Sequence, residues 1–340
     1  QENGEDEQTK TWNGIDAGNK NVSHNIGAKS AGTRITYWAE AWDESGNRVE
    51  SEHRTVIVEK ETVSTPVCPT GPNYLKVGEE GIYTTSKATS NLGNSVDYMF
   101  DWHDGQSNWN GDDQTNSWET NGYYFVKTKA RSQINTGRES NWSSNLLVTV
   151  ESIDPVISIS TNKGSDFSTK DGQVILNGTC SDLEPSSDLS SVSINTNATN
   201  RGTLENWEFS LELDPGENHF IVTAIDNCGN TGSAEISITR DETAPEITGI
   251  ASSTDPVREK IWTWSANEKA EFRYAVNQNS NHVFAKDAQF EPTSSASLQD
   301  VEGTWYLHVQ AKDAVGNVGE VTTVSALLDN TPPVAELHGL

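Results

Sequence analysis

Carboxylates are the side chains this sequence offers in greatest number: Asp and Glu together make 50 of 340 residues, against 23 Lys and Arg. Hard cations such as calcium take six to eight oxygen ligands from carboxylates and carbonyls. Two placements could supply them. In the first, acids of short linkers meet acids of strand corners: Asp241 and Glu242 stand in a linker, and Asp226 and Asp313 each precede a Gly-Asn corner. In the second, Asp101, Asp104, Asp112 and Asp113 share one polar stretch. No cofactor is expected from the sequence, and calcium at one or both places is the candidate it leaves open. The competing reading is plain turn chemistry, since Asp before Gly is ordinary in turns and no Asp-x-Asp-x-Asp-Gly loop occurs.

Catalytic arrangements are missing. The seven histidines are scattered, and none stands in a His-Glu-x-x-His or other close pair. There is no Gly-x-Ser-x-Gly elbow and no glycine-rich phosphate loop. With 50 acids, nominating a pair as acid and base carries no information. The chain reads as a non-enzyme.

Eleven tryptophans are many for this length. Trp102, Trp264 and Trp305 alternate with apolar neighbours and read as core. Trp109, Trp118 and Trp142 lie among Asn and Ser, and flat indoles beside amides suit stacking against sugar rings. The competing reading has them lidding a small core. Of three cysteines, Cys180 follows a strand over 174–176 and Cys228 sits in the corner of the same repeat, so a disulfide between them, closing about fifty residues, is expected, with two buried thiols as the competing reading. Cys68 is left unpaired.

These residues are carried by a repeated element. Residues 303–312, GTWYLHVQAK, alternate at period two, with Trp305, Leu307, Val309 and Ala311 on one face and Tyr306, His308, Gln310 and Lys312 on the other. A corner follows at Gly316 and Asn317, then a second strand over 321–328 and the exit DNTPP. Similar hairpins occur at 32–60 and 216–245, with a worn copy at 122–151. The alanines closing their first strands, Ala41, Ala130, Ala224 and Ala311, are spaced by 89, 94 and 87 residues. That period is the size of one small β-sandwich. The expected fold is all-β: tandem immunoglobulin-like sandwiches arranged end to end.

The domain boundaries follow: 1–62, a partial repeat with a flexible N-terminus over 1–10; 63–151; 152–240, carrying the disulfide; 241–329; and 330–340, the start of a further repeat. The first repeat lacks about 25 residues of early strands relative to the others. A segment of a longer array is the expectation. A net charge of −27 disfavours nucleic acid and anionic membrane surfaces as partners. No apolar run approaches the roughly 18–20 residues that span a bilayer, and no signal peptide opens the sequence.

The second domain, with YMFDWHDG at 98–105 and GYYFV at 122–126, resembles the polycystic-kidney-disease (PKD) domain, an immunoglobulin-like sandwich of extracellular proteins. The family's Gly-Asp-Gly stands here as His103, Asp104 and Gly105. AWDESGN at 41–47, AIDNCGN at 224–230 and AKDAVGN at 311–317 are similar to bacterial immunoglobulin-like and hyalin-type repeats. The resemblance implies a structural corner and no catalytic role. It points to a stalk or adhesive shaft of an extracellular or cell-surface protein, prokaryotic in origin. Its partners would be other surface proteins, glycans and further repeats of the same parent. The alternatives are a glycan- or protein-binding accessory module of a secreted hydrolase, and a subunit of an extracellular filament or lattice.

Overall fold

The computed structural model describes residues 29–335. The expected flexible end at 1–10 and the close of the expected further repeat, 336–340, lie outside the described residues. Nearly all regular structure is β, with a single 3-10 turn at Thr161–Gly164 among the described residues. The chain divides into two compact units, residues 1–149 and 150–340.

In the first unit, β1 (Arg34–Tyr37) pairs with β4 (Arg54–Ile57), and β2 (Glu40–Trp42) with β3 (Arg48–Glu50). This is the hairpin read from the alternation. None of residues 29–60 is buried, and Tyr37, Trp42, Val49 and Val56 stay exposed, because among the described residues no second sheet covers the hairpin. The next strands are β5 (Tyr74–Leu75), β6 (Gly81–Thr84), β7 (Val96–Asp101), β8 (Asp113–Asn116), β9 (Gly122–Ser132) and β10 (Leu146–Val150). One sheet runs β5-β10-β9-β7 and the other pairs β6 with β8. Between them Tyr83, Phe100, Val126 and Val148 from the strands, with Trp102 and Trp118 from the segments just after β7 and β8, form an aromatic-rich core.

The second unit holds two pairs of sheets. The first pair is built from β11 (Val156–Ile159), β12 (Phe167–Thr169), β13 (Gln173–Ser181), β14 (Leu189–Ile194), β15 (Asn206–Glu212), β16 (Gly216–Asp226) and β17 (Thr231–Arg240). Sheet β11-β13-β15 packs on β12-β17-β16-β14 around Leu176, Trp207, Phe209, Val222 and Ile238. The second pair comprises β18 (Ile247–Thr248), β19 (Ser253–Val257), β20 (Glu259–Thr263), β21 (Ser265–Ala266), β22 (Glu271–Asn277), β23 (Ser295–Gln299), β24 (Gly303–Lys312) and β25 (Thr322–Leu328). Sheet β19-β25-β24-β22 faces the pairs β18-β21 and β20-β23 around Trp262, Trp264, Leu307, Val309 and Ala326. In both pairs a long antiparallel hairpin, β16–β17 or β24–β25, is central to the larger sheet.

His308 lies on the strand face opposite Leu307 and Val309, and its imidazole is fully buried. The long connection 278–294 folds over it: Nε2 lies 2.9 Å from the Asn279 carbonyl, Nδ1 lies 2.9 Å from Thr323 Oγ1, and His282 stacks at 5.0 Å.

Candidate functional site

Each corner is built by one Asp and one Asn four residues apart. A glycine between them takes a left-handed conformation, with φ of +83° at Gly46, +84° at Gly229 and +93° at Gly316. Asp313 Oδ1 accepts backbone N–H bonds from Val315 (3.0 Å), Gly316 (2.6 Å) and Asn317 (2.8 Å), while Oδ2 accepts from Asn317 Nδ2 (2.8 Å). In the same way Asn230 and Asn47 each donate a backbone and a side-chain N–H to the carboxylates of Asp226 and Asp43. In the exposed first corner these bonds, Asn47's above all, hold the Asp43 carboxyl below its usual range.

The second unit adds a feature that the sequence does not display. The corner Asn reaches the segment that enters its own sandwich. Asn317 Nδ2 donates to the Asp241 carbonyl (2.7 Å), and Asn230 Nδ2 lies 2.9 Å from Glu151 Oε1 and 3.4 Å from the Glu151 carbonyl. The entering strand passes so close that a Cβ on Gly232 would lie 1.9 Å from the Pro155 carbonyl oxygen. One on Gly319 would lie 2.2 Å from that of Pro245. Glycine is required at both places by space.

These contacts assemble two groups of carboxylates. Glu151, Asp182 and Asp226 form one, Asp241, Glu268 and Asp313 the other, and in each the oxygens lie within 4.8 Å of one another. The positions correspond: entering linker, end of the second strand of the smaller sheet, corner. Glu151 is fully buried and Asp226 nearly so, and Ser187 Oγ donates to Glu151 Oε1 (3.0 Å). Burial first, and then Asp226 beside it, push the Glu151 carboxyl above its usual range. Glu268 is likewise raised by burial, with Asp241 and Asp313 adding to it. Asp182 Oδ1 is buried without a hydrogen-bond partner. Three carboxylates facing inward are the donor set a hard cation takes.

Asp226, Asp241 and Asp313 are therefore brought into clusters, though in two separate groups and not across one junction. Glu242 is not; it pairs with Arg240. Nor does the loop of the second domain gather its acids into such a group among the described residues. Asp101 lies 3.6 Å from Lys127 Nζ and accepts the His103 N–H, the Asp112 carbonyl is bonded by the Thr85 N–H, and Asp104 and Asp113 are exposed. Sequence reasoning missed Glu151, Asp182 and Glu268. The signal was there for Glu151, which opens its linker as Asp241 does. For the other two it was only an acid two residues after the strand residue Cys180 or Ala266.

Two further expectations are corrected. Cys180 and Cys228 are not bonded to each other: each is a buried thiol, one in β13 of the smaller sheet and one in the β16–β17 corner. Burial pushes Cys228 up to about 11 and Cys180 upward as well. Trp118 is no sugar platform. It is 1% exposed, its Nε1 donates to the Trp102 carbonyl (3.2 Å), and it packs against Tyr83, Trp102 and Tyr124. Trp109 and Trp142 are half-buried, and their faces interleave with a row of cations on β9. Lys127 and Lys129 lie 5.3 and 4.9 Å from the Trp142 ring, and Lys129 and Arg131 lie 5.3 and 4.5 Å from that of Trp109.

Among proteins of known structure, the chain is similar to the PKD domain of an M14-like peptidase from a Thermoplasmatales archaeon. Identity is 28% over 26% of this chain and 95% of that domain, with a TM-score of 0.22. It is similar also to the fibronectin(III)-like modules of Clostridium thermocellum CbhA, at 16% identity over 53% of this chain and 93% of that one, with a TM-score of 0.31. The three N-terminal domains of the bacteriophage RB49 Highly Immunogenic Outer Capsid protein match at 10% identity over 80% of this chain and all of that one, with a TM-score of 0.40. No family model matches, and no curated protein matches. By its own strand order the fold is all-β, with successive sandwiches of facing sheets. No helix among the described residues is long and apolar enough to cross a membrane.

Proposed function

We propose that this chain is a non-catalytic structural or adhesive segment of an extracellular or cell-surface protein, serving as a stalk or shaft. The observation that carries this reading is the tie between corner and entry linker, repeated in both sandwiches of the second unit. A passive spacer needs each module to hold the strand that delivers it. Here a side-chain amide, a buried acid and a glycine shaped to the linker do so twice. Lys170 Nζ also reaches the Gly316 carbonyl (3.3 Å), joining the third module to the corner of the fourth. The boundaries 63–151, 152–240 and 241–329 are proposed as the modules of this shaft.

Calcium belongs to the same proposal, at Glu151, Asp182 and Asp226 and at Asp241, Glu268 and Asp313. The buried, unpartnered Asp182 Oδ1 favours it at the first site. A cation there would offset the repulsion among buried carboxylates and fasten the linker. Limited proteolysis tests the shaft. In Asn230→Ala and Asn317→Ala, cleavage in residues 151–155 and 241–245 should accelerate while the sandwich cores stay protected. Equal cleavage in variants and parent would remove the argument for a stiffened shaft. Calcium is tested separately by melting with added calcium and with chelator, where superimposable curves reject it.

The binding-module alternative retains Trp109 and Trp142 as its aromatic surface. Glycan-array retention that is lost in Trp109→Ala would favour it over the shaft.

A further inference from the structure

In the fourth sandwich, β22 and β23 are the outer strands of their sheets, and a cleft of about 1060 Å³ lies along both. The backbone shows which groups line it. The Phe272 N–H and C=O bond Glu291, on the side away from β24, so by strand alternation those of Tyr274 and Val276 also point into the cleft. Trp264 N–H bonds the Ser294 carbonyl, so the N–H and C=O of Ser295 and Ser297 on β23 point away from β20. Among the described residues no hydrogen-bond partner takes up these outward groups of Tyr274, Val276, Ser295 and Ser297. They recur at every second residue, a rhythm that another extended backbone matches and a ring of scattered hydroxyls does not.

Charge narrows the occupant. Two charged side chains line the cleft among the described residues. Arg273 is committed inward, stacked on Phe284 (4.8 Å) and Phe290 (4.7 Å) and bonded to Gln310 and to the Ala285 and Ala288 carbonyls. Glu291 is exposed and makes no ion pair, on a chain whose net charge is −27. We propose that the cleft accepts an extended, lysine-bearing peptide segment as an added strand on β22, with a lysine against Glu291. This goes beyond a passive shaft: it makes the fourth module a docking point for another polypeptide.

The test is amide hydrogen exchange of the full chain with and without the peptide acetyl-KTVTVTK-amide. Exchange at Tyr274 and Val276 should slow with the peptide, and the effect should weaken in salt. Glu291→Gln should weaken binding about two- to fivefold. Tyr274→Pro removes an outward N–H while leaving the β24 ladder intact, and should weaken it about tenfold or more. Should the proline variant fail to fold, the exchange measurement on the parent chain and the Glu291→Gln titration decide. Unchanged exchange at millimolar peptide overturns the proposal, as does slowing produced by cellohexaose and not by the peptide.

Discussion

A corner aspartate and an asparagine four residues on do most of the local work in this chain. In Asn317→Ala, Asp313 Oδ2 and the Asp241 carbonyl each lose a donor. The expected cost is about 1–3 kcal/mol, read as a lowered melting temperature of the second unit. Thiol titration separates the corrected disulfide from the structure's account. With Cys180 and Cys228 buried as thiols and Cys68 half-buried, the native chain should expose at most one reactive thiol to a polar reagent, and the denatured chain three. One thiol in the denatured chain would restore the bridge. Among the tryptophans, Trp118→Ala should cost the second module about 3–5 kcal/mol by leaving a cavity. Trp109→Ala removes cation–π contacts worth about 0.5–1 kcal/mol. Comparable losses for the two would mean the indole of Trp109 is core as well.

At the scale of elements, the linker and the hairpin it passes behave as one piece. Adding a single methyl in Gly232→Ala or Gly319→Ala must displace a proline carbonyl, costing about 1–3 kcal/mol, whereas Ser233→Ala next door should be nearly silent in the same melting assay. The 278–294 connection carries a second consequence. Burial, and then His282, lower the His308 pKa below its usual value, so the folded state favours the neutral ring. The unfolded chain binds the proton first. Stability from this site is therefore complete above about pH 6.5 and is lost as the pH falls from there through the lower folded value. In the first unit Glu61 behaves differently, because bonds from Asn94, Ser90 and Ser132 hold its carboxyl below the usual range. Its contribution is lost only at pH below about 4.5. Amide exchange in mild acid should thus loosen the connection 278–294 before the surroundings of Glu61, and His308→Asn should abolish that early step.

For the whole molecule, the division at residues 149 and 150 predicts at least two calorimetric transitions. Self-repulsion from the charge of −27 predicts that both rise when salt goes from low to moderate concentration. A single transition insensitive to salt would contradict both inferences.

The hairpins, the corners and the all-β architecture were legible because each depends on residues near in sequence. Alternation at Leu307, Val309 and Ala311 and a glycine at position 316 state their own geometry, and the spacing of Ala41, Ala130, Ala224 and Ala311 states the repeat. The carboxylate clusters were not legible to that degree. Glu151 reaches Asp226 across 75 residues, and nothing local marks Asp182 or Glu268 among 50 acids. The burial of His308 and of Trp118 was not legible for the same reason, since what covers a side chain comes from another part of the chain. Sequence alone determined the strand pattern through short-range sterics and alternation. Which groups end up buried together was decided by the packing of distant segments, since burial and electrostatics act through space and not along the backbone.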